Sequence, residues 1–209
     1  MKRSLLSLGL VLGLAASAAA QVNVVPQTGV TFGYVPKVTY SAGFIGLVSA
    51  ASATDVICIK GSASKTVKVT QFKLSGTAGT LVTLPITLVR RATADTGGTA
   101  ATTTANPANN IAKRDSTQAA ATAVPISYTA NPTINDSSPT YVDSASLTLN
   151  ITGTTAAAVV PLVFDYGRDV VNLLAPLTLR GAAQQACLNF NAISVSSGVL
   201  NGSMTWTEE

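Results

Sequence analysis

Apolar and polar side chains alternate along most of this chain. In residues 55–60 (DVICIK), Val56, Cys58 and Lys60 fall on one side and Ile57 and Ile59 on the other. That two-residue period is the signature of a β-strand. Residues 66–74 (TVKVTQFKL) begin in the same way, with Val67 and Val69 opposite Lys68 and Thr70, and then slip: Phe72 and Leu74 lie on the lysine side. A β-bulge near Thr70–Gln71 would return all four apolar residues to one face. Residues 75–79 then read as a turn.

Further strands are expected over 38–49, 80–91, 119–130, 141–151, 159–164 and 173–179. Pro85 sits inside 80–91 and has no N–H for a ladder, so that strand is expected at an edge or bulged there. The last part of the chain reads as a hairpin: a strand over 186–195, a turn at 196–198, and a return over 199–208 that puts Leu200, Met204 and Trp206 on one face. A turn at Asn201–Gly202 is the alternative. Nothing after residue 20 sustains a helical period with caps. Eight to ten short strands separated by turn residues predict an all-β fold, a two-sheet antiparallel sandwich of jelly-roll type.

Two stretches break the alternation. Residues 92–114 are small and polar, with Ile111 the one side chain suited to a core; the expectation is an exposed excursion, cut first by trypsin at Lys113 or Arg114. Residues 131–139 read as a second loop. At the start, Lys2 and Arg3 precede an apolar run over 5–16 and an A-x-A ending at Ala20. This is the layout of a secretory signal peptide, and the run is too short to cross a bilayer. The expected organisation is a signal peptide over 1–20, an extended proline-broken arm over 21–38, and one β-sandwich domain over 39–209. The expected location is secreted, periplasmic or on the cell surface, with no membrane span.

Composition narrows the chemistry. Without the signal the chain keeps 11 basic and 9 acidic residues. The basic residues are scattered and not interleaved with aromatics, so no nucleic-acid partner is expected. There is no histidine, which removes Ser-His-Asp and Cys-His catalysis and every His-based zinc site. The expectation is a protein with no catalytic residues, no cofactor and no metal. Asp95, Asp115, Asp136, Asp143, Asp165 and Asp169 read as turn caps, although two carboxylates suffice for glycoside hydrolysis. Glu208 and Glu209 lie in a terminus expected to fray.

Cys58 and Cys187 are the only cysteines. Outside the cytoplasm they are expected to pair, closing a loop of about 130 residues and contributing roughly 4–5 kcal/mol. Two buried free thiols are the alternative. Tyr34 and Tyr166 are candidate contacts for a surface glycan. Trp206, alternating with apolar residues, reads as core.

The segments CIKGSASKTVKVTQFKLSGTA (58–78), LVRRATADTGGT (88–99), AVPISYTANPT (123–133), LRGAAQQACLNFNAISVSSG (179–198) and MTWTEE (204–209) together resemble a loose family of bacteriophage-associated jelly-roll structural or surface domains. The resemblance covers most of 55–209. It implies a structural or adhesive role, of phage or prophage origin, and brings no catalytic residues. A signal peptide fits a secreted bacterial protein sharing that domain better than a virion component. An extracellular carbohydrate-binding module is the alternative function, and a two-aspartate hydrolase a third. The apolar residues of the arm, Val24, Val25, Val30, Phe32, Tyr34 and Val35, suggest burial against a neighbouring copy. Self-association is therefore expected, with a closed trimer as the guess.

Overall fold

A computed structural model describes residues 37–48, 54–151, 160–167, 175–191 and 198–209. All of them belong to the unit Lys37–Glu209. The expected signal peptide, nearly all of the expected arm, Tyr34 and Asp169 lie outside the described residues. The fold is all-β, with no α-helix among the described residues. Twelve strands occur in the order β1 (Thr39–Leu47), β2 (Asp55–Lys60), β3 (Thr66–Ala78), β4 (Val82–Arg91), β5 (Thr99–Ala100), β6 (Ile111–Lys113), β7 (Val124–Ala130), β8 (Thr140–Ile151), β9 (Leu162–Asp165), β10 (Leu177–Arg180), β11 (Gln185–Asn189) and β12 (Val199–Glu208).

They form one curled mixed sheet, ordered β5-β7-β2-β11-β4-β8-β3-β12-β1-β6, with β9 and β10 also on β3. All pairs are antiparallel except a short parallel contact, where Thr77 and Ala78 of β3 face Asn150 and Ile151 of β8. β3 organises half of the molecule. One of its edges pairs with β12. The other is shared in turn by β10, β9 and β8.

The bulge expected in β3 is present. Gln71 faces Thr205 and Val69 faces Trp206, so Thr70 is the extra residue. Val67, Val69, Phe72 and Leu74 are accordingly all buried. The expected turn over 75–79 is absent: β3 continues to Ala78, because β12 supplies ladder partners as far as Thr77. β4 has strands on both sides, yet Pro85 lies beyond the end of β11, whose pairing stops at Thr87. The missing N–H therefore leaves no partner unsatisfied in that ladder.

The C-terminal hairpin does not form. β11 lies between β2 and β4, and β12 lies between β1 and β3. The expected strand 186–195 stops at Asn189, two residues before Asn191 with its positive φ of 40°. Both strands are buried on long stretches, so each is more stable between two neighbours than paired only with the other. The face predicted for Leu200, Met204 and Trp206 is correct: all three are buried, and Trp206 stacks on Tyr40 with ring centroids 5.7 Å apart.

The chain end does not fray. Thr66 and Glu209 exchange both backbone hydrogen bonds, at 2.8 and 3.0 Å. Residues 92–114 also hold more structure than their composition suggests. They contain β5, β6 and two 3-10 turns (Thr103–Ala105 and Pro107–Asn110). Asp95, Ala101 and Pro107 are buried within this stretch, and half-buried Ile111 packs on the core. Lys113 and Arg114 remain exposed.

Candidate functional site

The two faces of the β7-β2-β11-β4 region do different work. One face carries Ile57, Ile59, Leu84, Ile86, Leu88, Ala186 and Leu188 into the main apolar core. The other carries Cys58, Val89, Tyr128 and Cys187, a second small cluster with Ile126 against it. Asp55 would alternate onto the main-core side. A register shift instead leaves Val56 without its own partner between Ile57, which faces Leu188, and Asp55, which faces Asn189. Val56 and Ile57 both enter the main core, and Asp55 emerges on the cysteine face.

Cys58 and Cys187 are direct register partners, with Cα atoms 4.1 Å apart, and they form a disulfide. An early and a late strand are thus joined covalently at the middle of the sheet. Around the bond sits a buried polar cluster. Arg91 grips Asp55 with two hydrogen bonds, one of them from Nη2 to Oδ1 at 2.8 Å and the other from Nε to Oδ2. Asn189 Nδ2 donates to Asp55 Oδ1 at 2.7 Å, and Arg91 Nη1 donates to the Asp136 carbonyl at 3.1 Å. Burial works against the charge of Arg91. The hydrogen bond and attraction of Asp55, with Asp95 and Asp136 behind it, nevertheless hold its pKa above the ordinary value.

A second carboxylate enters this cluster without a matching cation. Asp95 is 1% exposed, and its Oδ1 lies 3.9 Å from Arg91 Nε. The Asp55 carboxylate and the Gln185 amide are its close neighbours. Neither oxygen of Asp95 makes a hydrogen bond of good geometry, nor does either end of the Gln185 amide. Burial first, then the Asp55 charge, push the Asp95 pKa up to about 7. Burial and the same two carboxylates push the Tyr128 hydroxyl up to about 12.

Asp95 can thus hold a proton against the Asp55 carboxylate. The pair does not suit a metal ion. Oxygen and sulfur atoms of Asp55, Cys58, Asp95 and Cys187 lie within 4.8 Å of one another. The two sulfurs, however, are bonded to each other, so they lack the thiolate charge a metal needs, and a guanidinium already occupies Asp55. The pair is also closed to a substrate in this conformation, since both carboxylates are buried.

A different buried carboxylate, that of Glu208, ties the 122–123 segment to β12. The Glu208 side chain accepts from the Thr122 and Ala123 amides at 2.9 Å, from Thr122 Oγ1 at 2.7 Å and from Trp206 Nε1 at 3.1 Å. Lys65 Nζ stands 3.5 Å away. Burial opposes its charge, but these donors outweigh burial and hold the pKa below the ordinary value.

The other candidates are distributed over the surface. Tyr166 is half-buried against the core and donates to Asp143 Oδ2 at 3.1 Å; burial pushes its pKa up. Asp115 accepts from the Thr117 amide and Asp136 from the Ser138 amide, as turn caps do. Asp143 and Asp165 accept from Ser144 and Gly167 amides. Tyr141 is 71% exposed. An open groove of about 450 Å³ runs between Ser146, Thr148 and Asn150 on one side and residues 160–163 on the other. Sequence reasoning passed over Asp55, Arg91 and Gln185. Only the equal spacing of Gln185, Cys187 and Asn189 hinted at a shared polar face. No helix among the described residues is long and apolar enough to cross a membrane. No known protein family, curated protein or solved structure matches the chain.

Proposed function

We propose that this protein is an exported, non-enzymatic structural or surface module, a two-sheet sandwich of jelly-roll type, of phage or prophage origin. The observation that carries the reading is the disulfide between register partners at the sheet centre. It ties strands 129 positions apart, and a bond of that span contributes roughly 4–5 kcal/mol outside the cytoplasm. The signal-like N-terminus and the segment resemblance support the same reading.

Self-association through the arm belongs to this proposal. β6 covers β1 only over Tyr40–Ala42. Beyond Ala42 that edge has no strand among the described residues, and Ile45 there is 67% exposed. Asn110 Nδ2 donates to the Gly43 carbonyl there at 3.2 Å, and an edge with no strand beside it is a template for an added one. Light scattering should show an oligomer, expected to be a trimer, for protein starting at Gln21 and a monomer for protein starting at Lys37. The later start keeps Tyr40 in the core. Monomers in both cases would refute assembly through the arm.

Carbohydrate binding is the second reading. The groove wall of Ser146, Thr148 and Asn150 favours it, because hydroxyls and amides are what a sugar would meet there. Glycan-array binding that is lost on Tyr34→Ala or Tyr166→Ala would establish it in place of the first.

A further inference from the structure

The disulfide lies on the sheet face opposite the main core, yet both cysteines are fully buried. Residues 92–98 help to cover it. One Asp95 oxygen lies within 4.8 Å of both sulfurs. Within 92–98, Asp95 is the one buried side chain; Ala94 is intermediate and the rest are exposed. A segment normally docks by an apolar residue. This one docks by a carboxylate that has no good hydrogen bond and sits beside another carboxylate.

The other ties of the segment run mostly to a second exposed loop. Thr96 and Thr133 exchange backbone hydrogen bonds at 3.1 and 2.7 Å. Asn135 Nδ2 donates to the Ala94 carbonyl at 2.9 Å, and the Ala92 amide donates to Asp136 Oδ2 at 2.6 Å. Gly97 and Gly98 follow with φ of 64° and 73°, the region that favours glycine. Any side chain at Gly98 would also meet Pro132. The two loops are therefore bound to each other more than to the sheet.

Each element packed around Asp95 contributes a defined group. β2 presents the Asp55 carboxylate, and Lys60, whose Nζ donates to the Asp95 carbonyl at 3.3 Å. β4 presents Arg91, which is committed to Asp55. β7 presents the Tyr128 hydroxyl, and β11 the neutral Gln185 amide and the disulfide. Asp136 holds Arg91 through its backbone carbonyl and the segment itself through its carboxylate, which accepts from the Ala92 amide. Arg91 reaches both acids, Asp55 through two hydrogen bonds and Asp95 at 3.9 Å, and Lys60 adds its charge only at the Asp95 carbonyl, so the two carboxylates still meet as like charges when both are ionised. Buried like charges are relieved by taking up a proton or by separating.

We propose that residues 92–98 are a proton-operated cover on the Cys58–Cys187 disulfide, docked while Asp95 holds a proton against Asp55 and displaced when that proton leaves. The reactant admitted by opening is a small reductant. With a phosphine, the disulfide gains two electrons and two protons to give two thiols, and water supplies the oxygen of the phosphine oxide. The shift of Asp95 supplies the sign. Its docked pKa is raised to about 7, so docking is strongest below the ordinary carboxylate pKa and is lost as pH rises through about 7.

The test is the rate at which tris(2-carboxyethyl)phosphine reduces the folded protein at pH 5.5 and pH 8.5, each normalised to its rate on oxidised glutathione. The wild-type ratio should rise at least ~10-fold, and Asp95→Asn should show no rise. An equal rise in both proteins would overturn the proposal. Hydrogen exchange of the wild type provides a reading that needs no variant. Protection of amides 93–98, corrected for intrinsic rates, should fall with pH while that of 185–189 holds. A pH-independent result for 93–98, or parallel loss at 185–189, would equally overturn it.

Discussion

Glu208 and Asp95 are both buried carboxylates that hold a loop against the sheet, and they do so with opposite electrostatics. Glu208 belongs to a strand and receives donors from the loop it holds: two amides and a hydroxyl, with the indole N–H of Trp206 beside them. Its charge is the glue. Asp95 belongs to the loop and meets another acid on the sheet. Its charge is the fault in the joint. Burial opposes ionisation at both sites, so depth alone does not set the sign. The number of donors aimed at the carboxylate does.

Arg91→Ala tests this most severely. It removes the only cation gripping Asp55 and leaves two buried acids facing each other. Breaking a buried pair from one side costs about 3–5 kcal/mol. Urea unfolding at pH 7 should lose that much, and the loss should shrink as pH falls and Asp95 takes up a proton. A loss below about 1 kcal/mol would mean the cluster is solvated in solution.

Glu208→Ala should rank next, at about 2–4 kcal/mol, because the Thr122 and Ala123 amides and the indole N–H lose their acceptor together. The pH dependence has the opposite sense to that of Asp95. A depressed pKa contributes stability that is present above the ordinary carboxylate pKa and lost as pH falls through the lowered value. The difference between wild type and variant should therefore be full at pH 7 and shrink under acid. A difference independent of pH would assign the effect to packing.

These two sites also show how far the sequence could be read. Alternation revealed the strands, and the slip in 66–74 even located a bulge, because the apolar residues on both sides of it were plain. The bulge at Val56 stayed hidden because Val56, Ile57 and Cys58 are all apolar. A slip among similar residues leaves no trace in the pattern, and with it went the true face of Asp55. The C-terminal hairpin failed for another reason. Short β-strands joined by a Ser-Ser-Gly turn look the same whether they pair with each other or with strands far away, and here the distant partners won. Glu208 looked like a fraying end because the Thr122 and Ala123 donors that hold it come from a distant segment that no local pattern connects to it. The polar stretch 92–114 looked solvated because its anchors are an acid, an alanine and a proline, and hydrophobic periodicity is blind to all three.

Asp95→Asn should give the smallest change in stability and the most informative one. Asparagine resembles the protonated acid in shape and carries no charge, so the variant mimics the docked form at every pH. A group with a raised pKa contributes stability that is fully present below its unfolded value and is lost as pH rises through the folded one. Wild type should thus weaken between about pH 4 and pH 7, and the variant should not weaken from this cause. The gap in favour of the variant should start near zero at pH 4 and level off above pH 7 at about 1–2 kcal/mol. The full linkage value of a carboxyl pKa raised to about 7 would be about 4 kcal/mol. The loop can lift while the strands stay paired, however, and the global penalty stops at the free energy of docking. Urea midpoints of the two proteins across that range measure the gap directly. A variant less stable than wild type at pH 8 would show that the Asp95 charge is held by partners, as that of Glu208 is, and the contrast between the two carboxylates would collapse.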